Sequence, residues 1–237
     1  MTVEICANSV QSAINAANGG ADRIELCQNL NEGGTTPSYA TIKYCVEKLP
    51  LKTMVLIRPR PGDFYYNDAE YEAIKEDVLM CQQLGAHGVV VGFLDKNLDI
   101  DTERTAEIVK LARPMEVTFH RAFDRCRDWH KALEQIIECG CDRILTSGQF
   151  KTAPEGIDNL REIQKQANGR IAILAGSGVN SQNAAEIIRA TGVCEVHSSC
   201  KHTIVNPQKT NIEDSSKYNE TDLEEVKRLV NAVSQIK

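Results

Sequence analysis

The stretch "EVTFHRAFDRCRDWHKALEQIIECGCDRILT", residues 116–146, decides the fold. It opens on a short run, Glu116 to Phe119, of the kind that forms a buried strand. His120, Arg121 and Asp124 follow at once, before any turn residue. Asp128 is then placed to cap a helix. Trp129, Leu133, Ile136 and Ile137 fall on one face of that helix at three- and four-residue steps, and Gly140 stops it. Arg143 to Thr146 reads as the next strand. Strand, helix and strand in so short a span make a βαβ unit with parallel strands.

The same rhythm runs outward in both directions. Short β-branched runs recur as "VEIC" from Val3, "RIEL" from Arg23, "TMVLI" from Thr53, "GVVVG" from Gly88, "IAILA" from Ile171 and "CEVH" from Cys194. Helical patterns lie between them. One has Thr36 as its expected cap and Pro37 at the first helical position. Another starts on an Asn67/Glu70 capping box and ends at Gly85. A third starts at Asn180 or Ser181 and ends at Gly192, and the last lies near the C-terminus. Eight strands, each followed by a helix, are the count of a parallel (β/α)8 TIM-like barrel, here a single α/β domain spanning 1–237. A doubly wound open sheet is the alternative, but no Gly-rich dinucleotide fingerprint follows the first strand. The segment "KHTIVNPQKTNIEDSSKYNE", residues 201–220, reads as a long, weakly structured loop after the eighth strand: a lid, a subunit contact or a plain loop.

Composition narrows the function classes. With 42% hydrophobic residues and a formal net charge of −6, the chain has material for a core and no clustered basic face for nucleic acid. No apolar run is long enough to span a bilayer and no leader pattern opens the chain, so a soluble cytoplasmic protein is expected. The nine cysteines are odd in number and scattered through apolar segments, which fits reduced thiols. Cys139 and Cys141 lack a second pair and read as packed thiols flanking Gly140.

In such a barrel the C-terminal strand ends meet at one mouth, where the chemistry sits. Side-chain alternation points Glu4 with Cys6, Glu25 with Cys27, Arg58 with Arg60, Thr118 with His120, and Glu195 with His197 toward the interior. Buried charges of this kind must pair with each other, with solvent or with a ligand. Glu25, His120, His197, Arg58 and Arg60 are therefore the candidate catalytic set. The arginines suit a carboxylate or phosphate, and the histidines suit proton transfer. "GSG" (Gly176, Ser177, Gly178) ahead of an expected helix start, with Ser198 and Ser199 on the next strand, is the candidate phosphate site; Arg121 and Ser147 are further ligand candidates. Cys6 and Cys27, both inward on neighbouring strands, suit a soft ion such as Cu(I), or are simply packed together.

The motifs "EICANS", "GADRIELC", "GGTTPS", "IRPRPGDF", "VTFHRAFD", "ILTSG", "AGSGV" and "EVHSS", in this order from Glu4 to Ser199, resemble those of the CutC family, named for copper homeostasis. The resemblance implies a TIM-like barrel, a cytoplasmic location, a homo-oligomer (dimer or tetramer) and a link to copper tolerance. Cysteines on the first two strands are considered Cu(I) ligands in that family, and here those positions are Cys6 and Cys27. Two readings follow. The first is a copper-handling protein. The second is a lyase, isomerase or hydrolase acting on a small phosphorylated or carboxylated metabolite, with no organic cofactor, nucleic acid or membrane partner.

Overall fold

The computed structural model describes residues 1–205 and 217–236. Eight parallel strands close on themselves in chain order: β1 (Thr2–Ala7), β2 (Arg23–Leu26), β3 (Lys52–Leu56), β4 (Gly88–Val91), β5 (Glu116–Phe119), β6 (Arg143–Thr146), β7 (Ala172–Ala175) and β8 (Glu195–Ser198). Strands β1 and β8 pair through Thr2–Glu195 and Glu4–His197, so the sheet has no open edge. The helices are α1 (Val10–Asn18), α2 (Tyr39–Lys48), α3 (Asp68–Leu84), α4 (Thr102–Ala112), α5 (Trp129–Glu138), α6 (Ile157–Ala167), α7 (Ala184–Thr191) and α8 (Leu223–Ser234). The expected (β/α)8 barrel is the observed one, and the open sheet is excluded.

Local chemistry accounts for most boundaries. Asp128 caps α5 by accepting from the N–H groups of His130 and Lys131. Asn67 and Glu70 form the full capping box of α3, which ends on Gly85 in the left-handed conformation. Two expected starts move. Ser38 caps α2, because the Thr36 hydroxyl instead accepts from the Arg58 N–H, stitching that loop to the end of β3. Helix α7 begins at Ala184, because Asn180 turns back on itself and accepts from the Gln182 N–H.

The stretch after β8 is more ordered than a loop. Strands β9 (Lys201–Val205) and β10 (Lys217–Thr221) pair antiparallel as a hairpin. Asn219 and Thr221 hold it against the barrel through bonds with Asn8, Ser12, Asn15 and Asn31. The middle of the stretch, 206–216, lies outside the described residues. No helix among the described residues is long and apolar enough to cross a membrane.

Alternation along the strands separates two cores. Outward residues such as Ile5, Ile24, Val55, Val89, Val117, Phe119 and Ile144 pack against the helices. Inside the barrel a smaller cluster of Cys6, Cys27, Met54, Leu56 and Val90 occupies the middle. Below it lies an ionic floor. Arg23 pairs with Glu4 and Glu195. Arg143 pairs with Glu195 at 2.5 Å and Glu116 at 3.1 Å, and donates to the Thr118 hydroxyl at 3.2 Å. This Arg–Glu network closes the barrel at the end opposite the mouth.

Candidate functional site

The mouth encloses a cavity of about 410 Å³. Of the candidates, Cys6, Glu25, Cys27, Arg58, His120, Arg121, Ser177, Gly178, His197, Ser198 and Ser199 line it. They come from β1, β2, β8 and the segments that follow β2, β3, β5, β7 and β8. Alternation and a common strand direction are what bring them together.

Three candidates lie elsewhere. Arg60 is off the cavity, bonded to Glu70 at 2.5 Å and Asp63 at 3.0 Å on the surface. Alternation holds only while the backbone is extended, and residues 59–62 form a bend between Pro59 and Pro61. Gly176 packs against Leu145 and His197, where a Cβ would meet Leu145 Cδ1 at 2.5 Å. Ser147 is buried behind the wall and donates to Asp124 Oδ2 at 3.0 Å.

Asp124 explains the "HRAFD" motif. Its carboxylate accepts from the Thr146 hydroxyl, the Ser147 and Gln149 N–H groups, and Arg121 Nε. Asp124 thus ties the end of β5 to the end of β6 and holds Arg121 at the cavity rim.

His197 and His120 carry opposite charge states. His197 Nδ1 lies 2.8 Å from Glu4 Oε1, and its Nε2 lies 3.3 Å from Glu25 Oε2. Burial works against its charge, but bonds to Cys6 and Glu4 and the charge of Glu25 overcome it and hold His197 as an imidazolium. Burial likewise opposes the Glu4 charge; His197 and Arg23 prevail and bring its pKa down to about 2. His120 is buried, and burial with the nearby Arg58 charge lowers its pKa to about 3. Its Nδ1 accepts from the Ala122 N–H at 3.1 Å, so the ring proton sits on Nε2. Gly92 makes room for this ring, since a Cβ there would sit 2.3 Å from His120 Nδ1. At neutral pH His120 is a neutral donor, not a base.

Two donors on this wall have no partner among the described residues: His120 Nε2 and Arg58 Nε. Arg58 is 4% exposed. Its terminal nitrogens donate to the carbonyls of Glu32, Gly34 and Gly62, and its guanidinium lies 5.1 Å above the Phe64 ring. Among the described residues no carboxylate pairs with it. Glu25 is pushed above the usual carboxylate range, chiefly by burial and also by the Glu4 charge, against the pull of His197.

The sulfur pair is also present. Cys6 Sγ and Cys27 Sγ are 3.6 Å apart, and ligand atoms of Cys6, Glu25 and His197 lie within 4.8 Å of one another. Hydrogen bonding to Cys27, burial and the Glu25 charge raise the Cys6 pKa well above that of a free thiol.

The sequence reading missed Phe64, Leu30 and Lys201 on the cavity wall. It also missed the floor arginines. Strand parity contained the signal for those: Arg23 stands two residues before Glu25, and Arg143 two before Leu145.

Comparison with known proteins agrees with this architecture. A CutC family protein of Bacteroides thetaiotaomicron is 48% identical over 98% of this chain and 94% of its own length. One from Vibrio vulnificus is 47% identical over 85% of this chain and 81% of its own. The solved CutC from Streptococcus agalactiae, named for copper homeostasis, superposes with a TM-score of 0.80 at 34% identity, covering 84% of this chain and 98% of that one. An N-(5'-phosphoribosyl)anthranilate isomerase from Pyrococcus furiosus shares the barrel alone, with a TM-score of 0.60 and 13% identity over the whole of both chains. The CutC family model matches residues 1–202, and with these relatives it shows that the chain belongs to the CutC family.

Proposed function

We propose that this barrel is an enzyme that binds a small anionic metabolite in its mouth and acts on it by acid–base chemistry, as a lyase, isomerase or hydrolase. One observation carries the reading: Arg58 buries its charge at the cavity wall with no carboxylate partner among the described residues. Three neutral carbonyls and the Phe64 ring compensate this buried cation only in part, and an anionic ligand is the partner that neutralises it. The Arg58 guanidinium then anchors the anion, and the His120 Nε2–H donates to a substrate oxygen. His197 supplies a fixed positive charge for negative charge that develops in the transition state. Glu25, buried on the cavity wall and raised above the usual carboxylate range chiefly by that burial, is the proton carrier. Scattered reduced thiols favour a cytoplasmic setting, and a homo-oligomer is part of the same reading.

Thermal shifts with small carboxylates and phosphorylated metabolites test it. Stabilisation by at least one class is expected in the wild type, with loss of the effect in Arg58→Met. No shift with any of them, or equal shifts in the variant, counts against the reading.

The thiol contact favours a second reading, a copper-handling role like that in the name of the Streptococcus agalactiae protein. Two sulfurs 3.6 Å apart match the soft ligands that Cu(I) prefers, and His197 beside them would join only by giving up the proton that Glu4 and Glu25 hold on its ring. Binding would have to displace the Cys6 proton against burial and the Glu25 charge. The test titrates reduced protein with Cu(I) beside the Cys6→Ala, Cys27→Ala double variant; equally tight binding by both removes this site.

A further inference from the structure

We infer that the metabolite is a phosphomonoester, its phosphoryl group held by the backbone N–H groups of Ser177, Gly178 and Ser199 opposite the Arg58–His120 wall. The inference rests on the anion-binding reading above and adds the chemical class and orientation of the ligand.

The loop after β7 is built to present its amides. Ser177 and Gly178 are consecutive residues with φ of +74°, so the chain doubles back and turns successive peptide units toward one side. The N–H groups of Ser177, Gly178 and Ser199 have no hydrogen-bond partner among the described residues, and all three residues line the cavity. Beyond Val179 the next three amides are engaged. Asn180, Ser181 and Gln182 donate to the side chains of Asn183, Glu225 and Asn180. The three free amides lie in the loops after β7 and β8, outside the first turn of α7, so the site is a loop nest, not the helix N-terminus the sequence suggested.

The serine hydroxyls position this nest. Ser177 Oγ donates to the Lys151 carbonyl at 2.9 Å, and Ser198 Oγ to the Val179 carbonyl at 2.6 Å. Both protons are used inside the protein, which fixes the loop that lines the cavity. The fit is tight: a Cβ on Gly178 would meet Thr152 Cβ at 3.0 Å. Lys201, at the start of the hairpin, adds a cation on the same side.

A second, independent observation lies across the mouth. His120 and Arg58, 5% and 4% exposed, each keep a nitrogen without a partner among the described residues. Between the two walls Leu56, Phe64, Leu145 and Val179 supply apolar surface. The ligand that matches has a tetrahedral dianion at one end, whose several oxygens suit a cluster of N–H donors, and a short carbon body. Its carbonyl or carboxylate oxygen lies at the other end, within reach of Arg58 and His120.

The test is a two-dimensional 15N–1H titration of the full chain with inorganic phosphate and, separately, with malonate. Phosphate is expected to move the amide resonances of Ser177, Gly178 and Ser199 saturably, both in the wild type and in Arg58→Met. Lys201→Ala, a change at an exposed residue, is expected to weaken that binding roughly threefold to tenfold. Malonate is expected to move resonances near Arg58 and His120 in the wild type only. If phosphate leaves the three amides still, or moves only resonances near Arg58, the subsite is overturned while the malonate response still reports on the anion site. If the three amides respond and malonate gives no Arg58-dependent effect, the subsite stands and the broader anchor role of Arg58 falls.

Discussion

Replacing Glu4 by Gln tests the electrostatic logic of the barrel interior. Glu4 joins the floor to the mouth: one oxygen bonds Arg23 and the other lies 2.8 Å from His197 Nδ1. Gln keeps the shape and removes the charge. Lowering the Glu4 pKa from 4.5 to about 2 corresponds to about 3 kcal/mol of stability at neutral pH. The sign follows from linkage. A depressed carboxyl contributes above its unfolded pKa of 4.5, and its contribution is lost as pH falls toward about 2. His197, raised from 6.5, contributes fully below that value and loses its contribution as pH rises through its folded pKa. Urea denaturation of wild type and Glu4→Gln at pH 7 should therefore differ by about 3 kcal/mol, and by roughly half of that at pH 3. The His197 ring should remain an imidazolium at pH 7 in the wild type and titrate at lower pH in the variant, as read from its ring 15N shifts. Equal stabilities at pH 7, a gap that does not shrink on acidification, or an unmoved His197 titration would refute the reasoning.

Three further changes probe single features. Gly92→Ala places a methyl group 2.3 Å from His120 Nδ1, so it should cost about 1–3 kcal/mol and displace the ring, seen as a lower Tm and a changed His120 ring signal. Asp124→Asn puts an amide where donors from Thr146, Ser147, Gln149 and Arg121 converge; a loss of about 2–3 kcal/mol in urea and weaker anion binding through a released Arg121 are expected. Arg60→Ala removes surface contacts off the cavity, the pair with Glu70 and Asp63, a bond to the Tyr65 carbonyl and the stacking on Tyr66, so stability should change by about 1 kcal/mol, with anion-induced thermal shifts unaltered.

The linear order of the chain determined the barrel and the identity of most mouth residues. Period-two alternation bounded by caps is a local property, so the residues from Glu116 to Thr146 carry their strand, helix and strand on their face, and parity sends Glu25, His120 and His197 inward. Parity fails where the backbone leaves the extended state, which is why Arg58 enters the cavity and Arg60 does not. Charge states were decided by tertiary structure alone. His120 and His197 are the same residue type lining the same cavity, yet one is neutral beside Arg58 and the other protonated between two glutamates. Which amides stay free was likewise settled across the chain: Glu225, on the last helix, takes the Ser181 N–H and hydroxyl at the start of the α7 turn. Desolvation and hydrogen-bond partnership depend on groups distant in sequence, and no local pattern encodes them.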